Sequence, residues 1–562
     1  MSFADVRRPY LDATALDQDF LDLCAANLSN QLELAVDIET PDGSFIRASD
    51  RNKYIGSTFY EALLNFPVIG RTVGEWLSRT TEFDTLELEL NNSNGRFNNY
   101  LPGGDDFSAS WVGKSVRVRL GLRDVESTYF TIFRGSITDI AGVSRQTFSI
   151  NFKARDKFDA LSVEFPNEVF STTAFPDLEE DRENFAVPVV LGDWTTEIHN
   201  GAAIVPSFVV NGKAVPATTT VLQCVHATNS GTIDTSHVYL RRGDTLYPID
   251  SSNVTDNADG SMLIETTGLV VDGAAYEYQN GDVFYVRFLS SAVEGTTQNA
   301  VLFAKHLLKT YAGVTDSDFT AQWAYFAAKT TPTESAIASI KTRIWLQDPQ
   351  NLLEYVRSLL QQVRLELFVD RDLKLDLVST HFDEWPSNPS YLVRNWDIEL
   401  DSASMSLPEI NQFNRARGAY GFSPLLGEES AFTPYFKNQA AITAQGKQTT
   451  QRVILPNLYV ASDAQNFVRE TLKLSSAGSE LVTMNLTWRS LLLDIGQFVK
   501  LNINIDGLLL ENVPCMVRSI GYDPDGVKIP VTLWSFQMVP YPGYVPGYAG
   551  TVGGSTATIT QE

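Results

Sequence analysis

The chain has 562 residues, with 68 acidic against 43 basic side chains, a net charge of −25 and a pI near 4.6. At 43% hydrophobic and 20% charged it has the apolar content for real cores, which excludes intrinsic disorder as the default for any long stretch. A surface this acidic repels phosphates instead of neutralising them, so a DNA-binding function read from charge alone is disfavoured.

At about 100–200 residues per domain, three to five domains are expected. The start, MSFADVRRPY, has no apolar signal-type segment, and no run of apolar residues is long enough to span a bilayer. These features predict a soluble chain that is made and assembles in a cytoplasm. Cys24, Cys224 and Cys515 lie too far apart for a paired framework or a C-x-x-C site, which makes them small buried hydrophobes.

Residues 12–28 carry a helical stripe of Leu16, Phe20, Leu23 and Leu28. The period then changes to two. Leu32, Leu34, Val36 and Ile38 alternate with polar or small residues. So do Leu86, Leu88 and Leu90 with Glu87 and Glu89, Val116, Val118 and Leu120 with Arg117 and Arg119, and Phe148, Ile150 and Phe152 with Ser149 and Asn151. These read as half-buried strands of a small antiparallel barrel or sandwich, and the Glu and Arg faces complement each other if their strands pair.

Residues 187–292 are punctuated by Asn211-Gly212, Asp259-Gly260, Asp272-Gly273 and Asn280-Gly281, the pattern of a loop-rich β-domain. Helices are expected at 298–312 and 349–363, the second capped by Asp348 with Pro349 at its first position. A strand pair follows at 365–369 and 374–378. A final β-section runs from about 395 to 540, interrupted by a helix that Ser462 and Gln465 open as a capping box. Its alternating sets are Val482, Met484, Leu486, Trp488 and Val499, Leu501, Ile503, Ile505. The end, 541–562, is rich in Pro, Gly and Tyr and reads as an extended tail.

Catalytic chemistry is sparse. The five histidines form no H-E-x-x-H pattern, and no P-loop, G-x-G-x-x-G or G-x-S-x-G occurs. Cys224 and His226 lack a second ligand pair nearby in sequence. Asp256 to Gly260 is spaced wrongly for a calcium loop and reads as a turn. Asp105-Asp106 and Glu428-Glu429 are the visible acid pairs, and sequence leaves glycoside hydrolysis open. The expectation is a structural protein and not an enzyme, with no catalytic residue, metal or cofactor.

Residues 86–97, LELELNNSNGRF, are followed by the loop NNYLPGGDDFSASW, the strand VGKSVRVRLGL, TIFRGSITDI and SINFKARDKFDAL. In this order they resemble the N-terminal barrel of baseplate or tail hub proteins of long-tailed, siphovirus-like phages. Residues 347–378 resemble the helix and strand pair of such hubs. Residues 462–505, with LDIGQFVKL, resemble their second barrel.

The resemblance implies a β-rich fold with two tube-like antiparallel β-barrel domains flanking a loop-rich β-domain and a small α+β domain. The divisions are an N-terminal helix or arm at 1–30, a first barrel at 31–165, the loop-rich domain at 166–295, the α+β domain at 296–394, a second barrel at 395–540 and the tail at 541–562. It also implies a homotrimer that adapts a sixfold tail tube to a threefold spike or fibre and forms part of a DNA conduit. The partners are then a distal tail or tube ring protein, a central spike, fibre or tail-tip protein and the tape measure protein, with DNA only in passage and no membrane span. The expected place is the virion's tail tip or baseplate. Candidate assembly contacts are Asn94, Gly95, Arg96, Phe97 and Trp111 beside the first barrel, and Tyr541, Tyr544 and Tyr548 in the tail. A glycan-binding or glycan-degrading tail protein and the hub of a contractile injection system remain the alternatives.

Overall fold

The computed structural model describes residues 32–62, 64–65, 69–72, 85–93, 95, 97–98, 111–122, 129–144, 149–156, 161–196, 204–211, 220–279, 281–330, 337–370, 374–380, 391–399, 402–406, 413–477, 480–487, 490, 493–505, 508–522, 528–535 and 559–561. The expected helix at 12–28 and residues Cys24, Asp105, Asp106, Phe148, Trp488, Tyr541, Tyr544 and Tyr548 lie outside them. The chain is mainly β, and its two largest barrel-like sheets are open half-barrels.

The first sheet holds β1 (Leu32–Glu39), β2 (Phe45–Ser49), β3 (Lys53–Ile55), β4 (Thr58–Ala62), β5 (Leu64–Asn65), β7 (Thr85–Asn91), β8 (Ser115–Leu122), β9 (Phe130–Ser144) and β10 (Ser149–Asp156). Their spatial order is β3-β4-β2-β1-β8-β9-β10-β7-β5. The alternation sets its inside. Leu86, Leu88, Leu90, Val116, Val118 and Leu120 are all buried, each contributing about 1.5–3 kcal/mol relative to an exposed side chain.

The acidic β7 and basic β8 are not neighbours, because β9 and β10 lie between them. Arg119 instead reaches diagonally across to Asp37 of β1, which stands opposite Arg117, at 3.2 Å, with Tyr60 donating to the same carboxylate at 2.7 Å. Glu87 stands opposite Lys153 of β10. Periodicity shows which residues share a face, but it does not show which strand lies beside which.

The missing strand of the first region, β6 (Ile69–Thr72), leaves its own sheet. It pairs antiparallel with Ser519–Tyr522 of the second sheet. That sheet comprises β11 (Tyr391–Arg394), β12 (Ser404–Ser406), β13 (Glu480–Thr487), β14 (Phe498–Ile505), β15 (Leu508–Tyr522) and β16 (Lys528–Ser535), in the order β11-β14-β15-β16-β13-β12. The expected boundary between 394 and 395 therefore separates β11 from the rest of its sheet. β11 runs parallel to β14, a pairing with no signature in local sequence.

Between the two sheets, residues 205–290 form a seven-stranded antiparallel sheet, among the described residues, with its own core around Leu222, Val238 and Phe284. Three helices follow, α1 (Ala300–Ala312), α2 (Ala321–Ala328) and α3 (Leu352–Gln361). Helix α3 starts three residues later than its proline predicts. Gln350 and Asn351 pair with Glu164 and Phe165, and Asn351, not Asp348, caps the helix by accepting from the Glu354 N–H at 3.1 Å. Leu365–Val369 and Leu375–Ser379 then pair antiparallel.

Residues 413–477 form a further unit, inserted between β12 and β13. Helix α4 (Ala461–Ala477) covers one face of a small sheet built on Arg415–Ser423. Ser462 lies inside α4, not at its cap. Ile559–Gln561, at the far end of the expected tail, pairs with Phe436–Asn438 of this same sheet.

One apolar core runs from Leu34 of the first sheet through Leu359 of α3 to Leu533 of the second. A second junction forms around Arg343, which is 2% exposed. Its guanidinium lies 4.0 Å from the ring of Trp194 and 5.1 Å from that of Tyr459. Gly192, at φ +100°, brings its backbone so close that a Cβ there would meet the Arg343 Cβ at 2.8 Å. No helix among the described residues is long and apolar enough to cross a membrane.

Candidate functional site

The two large sheets contain the same unit. In each, four successive strands take a Greek-key order in which the first lies beside the fourth. β7, β8, β9 and β10 have 7, 8, 15 and 8 residues, and β13, β14, β15 and β16 have 8, 8, 15 and 8.

The correspondence extends to single hydrogen bonds. The Gly113 N–H donates to the Ile137 carbonyl and the Ile137 N–H to the Lys114 carbonyl, both at 2.8 Å. The Gly496 N–H donates to the Val517 carbonyl at 2.7 Å, and the Val517 N–H to the Gln497 carbonyl at 2.8 Å. Both glycines have positive φ, 86° and 71°, as this turn requires. The turn itself closes by Lys114 N–H to Trp111 O in one copy and Gln497 N–H to Asp494 O in the other.

The bulges also coincide. Val118 pairs with Phe133 and Arg119 with Thr131, leaving Ile132 as the extra residue. Leu501 pairs with Val513 and Asn502 with Glu511, leaving Asn512. One strand further, Thr138 is extra in the first copy and Arg518 in the second. Bulges bend a sheet at fixed places, so the two copies bend alike at these positions, while the first carries one more bulge, at Ala141, without a counterpart in the second.

Among the candidate contact residues, Asn94 and Arg96 lie outside the described residues. Gly95 occupies a left-handed turn whose N–H donates to the Asn92 carbonyl at 2.9 Å, and the Asn92 side chain accepts from the Phe97 N–H at 2.9 Å. Phe97 and Trp111 are each 2% exposed and belong to the core of their own chain, so their rings pack internally and offer no surface to a neighbour. The aromatic–apolar composition that marked them as contacts equally marks a core.

Cys224 is buried in the core of the 205–290 sheet. His226 is fully buried, its ring edge-on to Phe288 at 4.8 Å and its Nδ1 3.4 Å from the Ser207 hydroxyl. Burial holds its pKa down to about 3, so the ring is neutral near pH 7. The Asp256 carboxylate accepts the N–H groups of Ala258 at 2.8 Å and Ile233 at 3.0 Å, closing a turn. Glu429 sits 3.6 Å from Arg452.

Sequence reading passed over two charged groups. Glu366 is 3% exposed and accepts from the Gln361 side chain at 3.1 Å. Burial raises its pKa to about 8, against the opposing pull of Arg357 and Arg518. Arg518 is the bulged residue of β15, so the bulge aims a charge at the α+β unit. The other group is a row of arginines at 415, 417 and 452, each lying over an aromatic ring. The i, i+2 spacing of Arg415 and Arg417 is visible in sequence; their alignment with Arg452 is not.

No family model matches the chain, and no curated protein does. Solved structures overlap it loosely. The 43 kDa tail protein of prophage MuSo2 from Shewanella oneidensis shares 10% identity over 90% of this chain and 98% of that one, with a TM-score of 0.39. The tail protein from Neisseria meningitidis MC58 shares 9% over 92% and 99%, with a TM-score of 0.40. Prophage tail protein gp18 from Listeria monocytogenes EGD-e shares 10% over 62% and 94%, with a TM-score of 0.25. The chain is similar to these phage tail proteins at a level too loose for residues to be transferred.

Proposed function

We propose that the chain is a structural hub of a phage tail tip or baseplate, acting as a homotrimer in the virion after assembly in the host cytoplasm. The observation that carries this reading is the duplicated β-unit with matched hydrogen bonds and bulges. A chain with two copies of one unit, placed on a threefold axis, presents six similar units in a ring. One face of that ring fits a sixfold tube, while the once-per-chain units offer threefold symmetry to a spike or fibre.

The role is mechanical: symmetry adaptor, and part of a channel for DNA. A net charge of −25 suits a conduit wall, since repulsion keeps the duplex from adhering. Strand β6 supports the adaptor role by tying the first β-unit to the second, so that the two copies are held in one spacing.

Mass measurement of the purified full chain, followed by imaging of particles that contain it, tests the proposal. The expected result is three copies around one axis, with six β-units lining a channel. A particle that carries the chain as a monomer or dimer away from any threefold axis overturns it.

A further inference from the structure

The duplicated β-units differ along one strand edge. In the second unit the turn at Gly496 bonds to Val517 of β15. Two residues later β6 takes up the same edge, with Thr72 opposite Ser519 and Ile69 opposite Tyr522. The other side of β15 is held by β16, so turn and β6 lie end to end along one side. In the first unit the turn at Gly113 bonds to Ile137 of β9 in the same way. There β10 holds the other side, at Asp139, Ile140, Gly142 and Val143. On the side of the turn, no strand among the described residues pairs with 139–143.

The two edges correspond residue by residue. Asp139 and Ile140 follow the bulge at Thr138 as Ser519 and Ile520 follow the bulge at Arg518. With Ala141 as the one extra residue, D-I-A-G-V lies on S-I-G-Y, so an isoleucine and a glycine recur at matching places.

The turns beside these edges differ in burial. Val112, just before Gly113, is 59% exposed. Ile495, just before Gly496, is 2% exposed and belongs to the core. The same apolar position is buried where a strand continues the edge and open to solvent where no described strand does. A bare strand edge presents a row of backbone donors and acceptors, which an added strand satisfies.

We infer that the edge at 139–143, together with Val112, receives a strand from the second β-unit of a neighbouring copy of this chain. The occupant is a second copy because the chain already makes this contact once, from its first unit to its second. If a twofold relation joined the two units, the second would return a strand to the first, and among the described residues it does not. A contact given and not returned is heterologous. It leaves one acceptor edge on every chain, which the next chain fills, and the series closes into a ring when the rotation suits. The inference rests on the trimer reading and names the edge at which its copies join.

The experiment measures hydrogen exchange of the full chain as the trimer and after dilution to the monomer. The amides of 139–143 are the readout and those of 519–522 the internal reference. Val112→Asp, at an exposed position, tests the apolar part, with thermal melting of the monomer as the control for folding. The expected result is that 519–522 are protected in both forms, while 139–143 gain about tenfold or more protection only in the trimer. V112D weakens the trimer by about tenfold or more at unchanged monomer melting. If the variant misfolds, exchange in the unaltered chain decides. A trimer whose 139–143 amides exchange as in the monomer, or one that a well-folded V112D leaves unchanged, overturns the inference and leaves the hub reading standing. Full protection of 139–143 in the monomer overturns it too, because the chain then closes its own edge. Where solution gives only one form, imaging of particles decides: a strand of a neighbouring copy beside Ile140 supports the inference, and another protein or no strand there overturns it. A chain that is monomeric in solution and lies away from any threefold axis in particles overturns both readings.

Discussion

Gly113 and Gly496 hold the same position in two copies of one β-unit: each sits at positive φ and donates its N–H to the long strand that follows, at Ile137 and Val517. The equivalence extends through the bulges at Ile132 and Asn512. Without a shared backbone plan, neither the turn nor the bulge would recur at the same offset.

The turn predicts a backbone cost. At Gly113 a Cβ would meet nothing within 4 Å, so Gly113→Ala destabilises only by forcing an L-residue to φ +86°, about 1–2 kcal/mol. Gly192→Ala costs more, since its Cβ also collides with Arg343. Denaturant or thermal unfolding of the two variants checks the order. Equal effects would show that the Arg343 junction yields freely.

Arg343 predicts a contrast between two substitutions. Its Nε and Nη1 have no hydrogen-bond partner among the described residues, and burial lowers its pKa to about 9. Arg343→Met keeps much of the volume between Trp194 and Tyr459 without a buried charge, and leaves stability unchanged or raises it by about 1 kcal/mol or more. Arg343→Ala empties the site and costs about 2–4 kcal/mol. Melting temperatures of both variants give the answer, and a loss in Met as large as in Ala would mean that the charge itself holds the junction.

Glu366 predicts a pH dependence. Its folded pKa, about 8, lies above the ordinary 4.5, so the folded chain binds the proton more tightly than the unfolded one. Its contribution to stability is complete below pH 4.5 and is lost as pH rises from there through about 8. Glu366→Gln removes this dependence, so the fall in melting temperature between pH 5 and pH 8 is smaller in the variant. The same slope in both chains would place the titration elsewhere.

Trp111 predicts a fold effect and not a contact effect. At 2% exposure in the first core, its truncation to Ala costs about 3–5 kcal/mol, read as earlier unfolding of the isolated chain. A variant that melts normally yet fails to join particles would return Trp111 to the role of contact.

The sequence by itself determined which residues face inward. Alternation placed Leu86, Leu88, Leu90, Val116, Val118, Val482, Val499 and Leu501 in the cores, because the side-chain period of a strand is a local property. The likeness of G-K-S-V-R-V at Gly113 to G-Q-F-V-K-L at Gly496 becomes evident only from the matching hydrogen bonds of the two turns. The tertiary structure decided the pairing: β6 crossing to the second sheet, β11 joining β14 in parallel, and a whole unit inserted between β12 and β13. These contacts join residues far apart along the chain, and edge hydrogen bonds carry no residue-type signature. It also decided that Phe97 and Trp111 point inward, and that Arg417 stands beside Arg452 over Phe432. Register across strands, not spacing along the chain, puts those charges side by side.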